Sequence, residues 1–250
     1  MYLWKYWRES RITFAVALLL VALMLWAVLK ISLGAAQHDG QDSNPAQIYM
    51  IMDGILMLPL AFLGLRYGSF GVGRDLGEGC GSFVFSRPGS RAFFVWSDWG
   101  FGMAQLLLIV VAANSVLLLA IHRTAPGSGS ILVSGVPVSL FSVFCLHCTA
   151  GLLLCGLMFG LTYFSSVLLK SRGVMLSIGV LMAYLVAKSV VSHYWRDVTL
   201  PNLSLTEFSV SPSIDGAFAK NLGLIIALRA GIALLFPVAA QLLLQQRDID

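Results

Sequence analysis

The chain has 250 residues, of which 58% are hydrophobic and 11% charged, with a formal net charge of +4. Soluble domains carry roughly 25% charged residues, so this chain has too little charge to cover a water-facing surface and reads as an integral membrane protein. Its basic residues form no stripe with interleaved aromatics, which argues against a nucleic-acid partner.

Apolar segments of about 20 residues cross a hydrocarbon core roughly 30 Å thick as helices. The apolar runs here are continuous rather than alternating, which favours helices over a barrel. The opening MYLWKYWRES interleaves Trp4, Tyr6 and Trp7 with Lys5 and Arg8. Amphipathic aromatics with basic neighbours suit the headgroup layer and predict a short N-terminal interfacial helix, the alternative being a tail of belt aromatics. The run 12–34 is the first span; it is longer than the roughly 7–15 apolar residues of a secretory signal and reads as uncleaved. The later spans are expected at 47–65, 99–121, 137–165, 174–193 and 221–244. The expectation is therefore an all-α membrane protein with six transmembrane helices in a single domain, 1–250.

Lysine and arginine accumulate on the cytoplasmic side. With the N-terminus inside, Lys5, Arg8, Arg11, Arg66, Arg74, Arg87, Arg91, Lys170, Arg172 and Arg247 lie in inner segments. Lys30, Arg123, Arg196 and Lys220 lie in outer ones, and Lys188 and Arg229 within spans. That asymmetry places both termini in the cytoplasm. The outer connections 35–46 and 123–130 have loop composition, and 194–220 is long enough to fold over the outer mouth.

Between spans two and three, residues 66–98 form the largest inner loop, RYGSFGVGRDLGEGCGSFVFSRPGSRAFFVWSD. Mere connections need only a few residues. The glycines at 71, 73, 77, 79 and 81 are not a phosphate cradle, because G-x-x-x-x-G-K-[ST] is absent. RDLGEGCGSFVF (74–85) predicts a short helix that stops at Arg87-Pro88, since a residue before proline is biased out of the helical region.

Glu78-Gly79, a short apolar stretch, then Ser86-Arg87-Pro88 and Ser90-Arg91 resemble the loop between spans two and three of type 2 ABC transporter permeases. The aromatic-basic opening WKYWRES and the six-span layout extend the resemblance over nearly the whole chain. Asp98 departs from it, standing where many relatives have a basic residue. The resemblance implies a permease subunit without catalytic activity or a bound cofactor of its own. Its partners would be a separate nucleotide-binding subunit holding ATP and Mg, a second permease copy or paralogue, and the lipid bilayer. It further implies residence in a bacterial inner membrane, export as the direction, and a coupling helix in the loop that docks on the ATPase. Carried onto this sequence, the contact residues are Arg74, Asp75, Glu78, Gly79, Arg87 and Arg91, with Lys170 and Arg172 of the next inner loop as a secondary contact.

Two other classes compete. An ion-driven secondary transporter would show internal repeats, and none stands out by eye. A membrane enzyme or cofactor-bearing subunit would use the outer-side histidines His122, His147 and His193, yet no nucleophile motif, metalloprotease motif or carboxylate pair accompanies them. Cys145, His147 and Cys148 form a C-x-x-C without a second pair. A tetrahedral metal site needs about four ligands, so packing is preferred to metal. Gly156 and Gly160 form a G-x-x-x-G suited to close helix packing, within one subunit or across a dimer.

The charges inside the spans are Asp53, Lys188 and Arg229. At 1.5 Å per residue, Asp53 and Arg229 lie about 9 and about 12 Å below the outer surface. Intramembrane charges usually face the bundle interior and pair. Asp53 is expected to pair with Arg229, with Lys188 as the alternative partner.

Overall fold

The computed structural model describes residues 2–35, 56, 59–79, 90–124, 130–133, 136–169, 172–194 and 216–246. In chain order they form α1 (Tyr2–Ala35), a helical segment α2 (59–67) and the short α3 (Val72–Gly77). Then come α4 (Arg91–Thr124), β1 (Ser130–Val133), β2 (Val136–Ser139), α5 (Leu140–Leu169), α6 (Gly173–Tyr194) and α7 (Gly216–Gln246). The described residues are almost entirely helical. Among the described residues, three stretches, Arg91–Leu119, Leu140–Leu169 and Ile226–Gln246, are long and apolar enough to cross a membrane.

Helix α1 corrects the expected opening. Its 34 residues run without a break through WKYWRES into the first apolar run, so there is no separate interfacial helix. The sequence explains this: from Tyr2 to Leu33 there is neither proline nor glycine to interrupt the ladder. At 1.5 Å per residue the rod is about 51 Å long, about 20 Å more than a hydrocarbon core.

Three further boundaries differ. Residues 91–98, expected to close the inner loop, are the first turns of α4, where Phe94, Val95 and Asp98 turn one face inward. The short helix begins two residues before the expected stretch and ends at Gly77, with Glu78 as its cap; residues 80–89, including Arg87, lie outside the described residues. The fourth span was expected from 137, but 136–139 pairs with 130–133 as an antiparallel hairpin, Val133 opposite Val136 and Ser130 opposite Ser139. Valine and isoleucine favour that pleated arrangement. Helix α5 begins only at Leu140, where the Oγ of Ser139 accepts the N–H of Ser142 at 3.1 Å.

Helix α5 is the centre of the assembly, packing on α3, α4, α6 and α7, while α1 lies along α4. Its buried residues Ala150, Leu154, Cys155, Met158, Phe159, Tyr163 and Val167 recur at helical spacing. Helix α2 meets it through Gly64 and Gly68. An added Cβ at Gly64 would fall 2.7 Å from the Cys155 carbonyl oxygen, and one at Gly68 closer still to that of Phe159. The thiol of Cys155 donates to the Leu60 carbonyl at 3.3 Å across the same seam. The expected G-x-x-x-G at 156 and 160 serves packing within the chain. Gly156 faces Met103 of α4 and Ala233 of α7, and Gly160 faces Phe236 and the Ala233 carbonyl.

Helix α7 contains Pro237. Proline has no N–H, so the carbonyl four residues earlier, that of Ala233, loses its helical partner. That carbonyl lies over Gly160, where a Cβ would approach it to 3.2 Å.

Candidate functional site

The charged, hydrogen-bonded region of the described structure is the turn 68–79 and the helix ends around it. Helix α2 closes through Gly68 N–H to Gly64 O at 3.1 Å, Ser69 N–H to Arg66 O at 3.1 Å and Phe70 N–H to Tyr67 O at 3.2 Å. The Ser69 hydroxyl donates to Arg66 O at 2.6 Å, and the Arg66 guanidinium sits 4.6 Å from the Phe70 ring centre. Gly71 then takes φ 71°, a left-handed conformation that glycine adopts without penalty. This reverses the chain into α3, and Asp75 N–H closes on Gly71 O at 3.1 Å.

Three other helices hold this turn. Fully buried Asp98 of α4 accepts the Val72 N–H at 2.9 Å on Oδ2, capping α3 from outside its own chain segment, and Tyr163 of α5 donates to the same oxygen at 3.4 Å. A side chain at Gly71 would overlap the Asp98 carboxylate, so the glycine is needed for space as well as for φ. From α1, Glu9 accepts the Gly71 N–H at 3.4 Å, Lys5 forms an ion pair with Asp75, and Lys5 also lies 3.7 Å from Glu9. Tyr6 donates to Tyr67 O at 3.3 Å, its ring edge-on to Phe70 and Phe101. Burial, reinforced by the negative charge of Asp98, pushes the Tyr6 phenol well above its ordinary pKa, so it stays protonated and able to donate. Deeper between the same helices, Gln105 of α4 donates to Ser10 of α1 at 3.1 Å.

The expected contact residues separate into two groups. Arg74, Glu78 and Gly79 are exposed. Arg74 and Glu78 pair at 2.6 Å across one helical turn, and this hydrogen bond raises the guanidinium pKa above its ordinary value. Asp75, by contrast, is 2% exposed and points into the bundle toward Lys5. Arg91 begins α4 and donates to the Leu244 carbonyl near the end of α7, where Trp96 also donates to Gln241 at 2.8 Å. Arg172 is exposed at the start of α6. Arg87, Lys170 and Asp53 lie outside the described residues, and with Asp53 so does the expected Asp53–Arg229 pair. Arg229 is partly buried on α7, and Lys188 lies on α6. Near the start of α5, His147 is buried, Cys145 exposed and Cys148 partly exposed, both cysteines free thiols.

Sequence reasoning missed the anchors. Asp98 stood out only as a departure from a family pattern, and Lys5 and Glu9 only as members of a belt segment. The available signal was an acid within an aromatic-basic opening and another beside the aromatics of AFFVWSDW at the edge of an apolar run, each of which has to find a partner once buried.

No family model, curated protein or solved structure matches this chain.

Proposed function

We propose that the chain is the transmembrane permease subunit of an ATP-driven ABC transporter of the type 2 class, exporting its substrate across a bacterial inner membrane. It works with a separate ATPase subunit that carries ATP and Mg, and with a second permease copy or paralogue. The observation that supports this reading is the build of α3. It is a six-residue helix that, with its cap Glu78, presents Arg74 and Glu78 outward. Lys5 of α1 pairs with Asp75, Asp98 of α4 accepts the Val72 N–H, Glu9 holds the preceding Gly71 and Tyr163 of α5 braces the Asp98 carboxylate. A surface that passes force from a soluble motor into membrane helices requires an exposed polar face and a rigid root. This segment has both.

Glu78→Lys tests the reading. An exposed i,i+4 pair contributes only about 0.3–0.5 kcal/mol, so folding and membrane insertion should be unchanged. Reversal of a charge inside a docked interface costs more, and association with the co-expressed ATPase should weaken by about tenfold or more. Equal recovery of ATPase by tagged wild-type and Glu78→Lys chains, with equal ATP turnover in proteoliposomes, would refute the assignment.

A further inference from the structure

The first turns of α1 have two differently charged sides. Tyr6 and Ser10 are buried, and beside them Lys5 and Glu9 reach α3. On the opposite stripe, at helical spacing, Trp4, Arg8, Arg11 and Ile12 are all exposed, Trp4 by 65% and Ile12 by 69%. Among the described residues neither arginine forms an ion pair. Beyond Ile12 the exposed stripe is apolar, through Val16, Leu19, Leu23 and Trp26, until exposed Lys30. Arg11 and Lys30 are 19 positions apart in sequence, about 28 Å along a helix, close to the roughly 30 Å of a hydrocarbon core. The two arginines therefore stand where the apolar face ends, with an exposed tryptophan one turn further out; with that face across a hydrocarbon core they would lie at the depth of lipid phosphates.

We infer that Arg8 and Arg11, with the Trp4 ring, bind the headgroup of an anionic phospholipid, and that the bound lipid orders α3 through Lys5 and Glu9 on the adjoining side of the same turns. Charge complementarity and depth select this occupant. At that level the anions in reach of a lipid-facing stripe are headgroup phosphates, and a basic residue there gains from a negatively charged lipid surface. The inference does not depend on the transporter reading, because both of its observables belong to this chain alone.

The experiment uses the full chain in nanodiscs of phosphatidylcholine, with or without about one third phosphatidylglycerol. It reads retained phosphatidylglycerol by native mass spectrometry and amide exchange over residues 72–77. In the wild-type chain phosphatidylglycerol should be retained and should slow that exchange several-fold. Arg8→Gln/Arg11→Gln should lose about tenfold in retention, together with the slowing. Arg8→Lys/Arg11→Lys should keep most of both, and Arg172→Gln, at another exposed arginine, should keep both. Equal retention by the wild-type and double-glutamine chains overturns the site, as does an equal loss in Arg172→Gln. Retention lost while exchange stays slow overturns the link to α3. Slowing reproduced by millimolar inorganic phosphate in phosphatidylcholine discs overturns the lipid as occupant.

Discussion

Gly68→Val is expected to destabilise the protein more than any other single change on the α2–α5 seam. The new Cβ would run into the Phe159 carbonyl oxygen, and the Thr162 Cβ would stand 2.8 Å away. A flexible side chain could give way, but a carbonyl in a central helix cannot. Helix α2 would have to back off α5, loosening the packing of the buried Leu60, Leu65 and Tyr67. Overpacking typically costs about 1–3 kcal/mol, and with that loosened seam the total should reach about 3 kcal/mol or more. For a chain of this length that corresponds to a fall in Tm of about 10 °C. Gly100→Ala is the matched control, since nothing lies within 4 Å of an added Cβ there. It should be neutral or slightly stabilising, because alanine is the better helix former. Thermal unfolding of the two variants in the same detergent decides the matter, and a wild-type Tm for Gly68→Val would show that the close approach is absent.

The second large effect is expected at Asp98. Asp98→Ala removes the acceptor for both Val72 N–H and the Tyr163 hydroxyl and leaves a buried backbone donor unsatisfied. Charge-assisted hydrogen bonds contribute about 1.5–3 kcal/mol, and an abandoned buried donor costs about 1–3 kcal/mol. The turn carrying α3 should therefore open by about 3 kcal/mol, and the amides of 72–77 should exchange about a hundredfold faster. Asp98→Asn keeps an acceptor oxygen and should show a much smaller change. Gly71→Ala attacks the same contact from the other side, because its Cβ would displace the carboxylate. Combined with Asp98→Ala it should add little beyond the about 1–3 kcal/mol of strain that a side chain meets at φ 71° and ψ −137°, since the obstacle is then gone. Fully additive effects of the two changes would mean that Gly71 and Asp98 do not oppose each other.

How much of this was legible beforehand depends on which force set each feature. The long helices follow from apolar runs that have to satisfy their backbone internally, and α4, α5, α6 and α7 lie where those runs lie. Their ends were less legible. RAFFVWSD reads as loop because it carries Arg91, Ser97 and Asp98, yet Phe94, Val95 and Asp98 all pack inward, a fact of tertiary structure. The hairpin at 130–139 was hidden because a run such as ILVSGVPVS is apolar in either conformation. At the candidate site the exposed pair Arg74–Glu78 belongs to the expected set, whereas Asp75 faces the other way. A six-residue helix has no periodicity long enough to reveal its buried side. The seam at Gly64 and Gly68 carries the same four-residue spacing as Gly156 and Gly160 but sits at the end of the expected second span, where glycine reads as a turn.

Pro237 has a consequence for how movement in this bundle could be watched. Before it, Ala233 and Phe236 rest on Gly156 and Gly160 of α5; after it, Gln241 and Leu244 are fastened to Trp96 and Arg91 of α4. The two arms of α7 thus answer to different neighbours across a point where one backbone bond is already missing. Any swing of α4 against α5 should change the angle between those arms at little extra backbone cost. Spin labels on the exposed positions Leu228 and Leu242 would act as a built-in goniometer. A label separation that stays constant while α4–α5 distances change would show that α7 moves as a single rod.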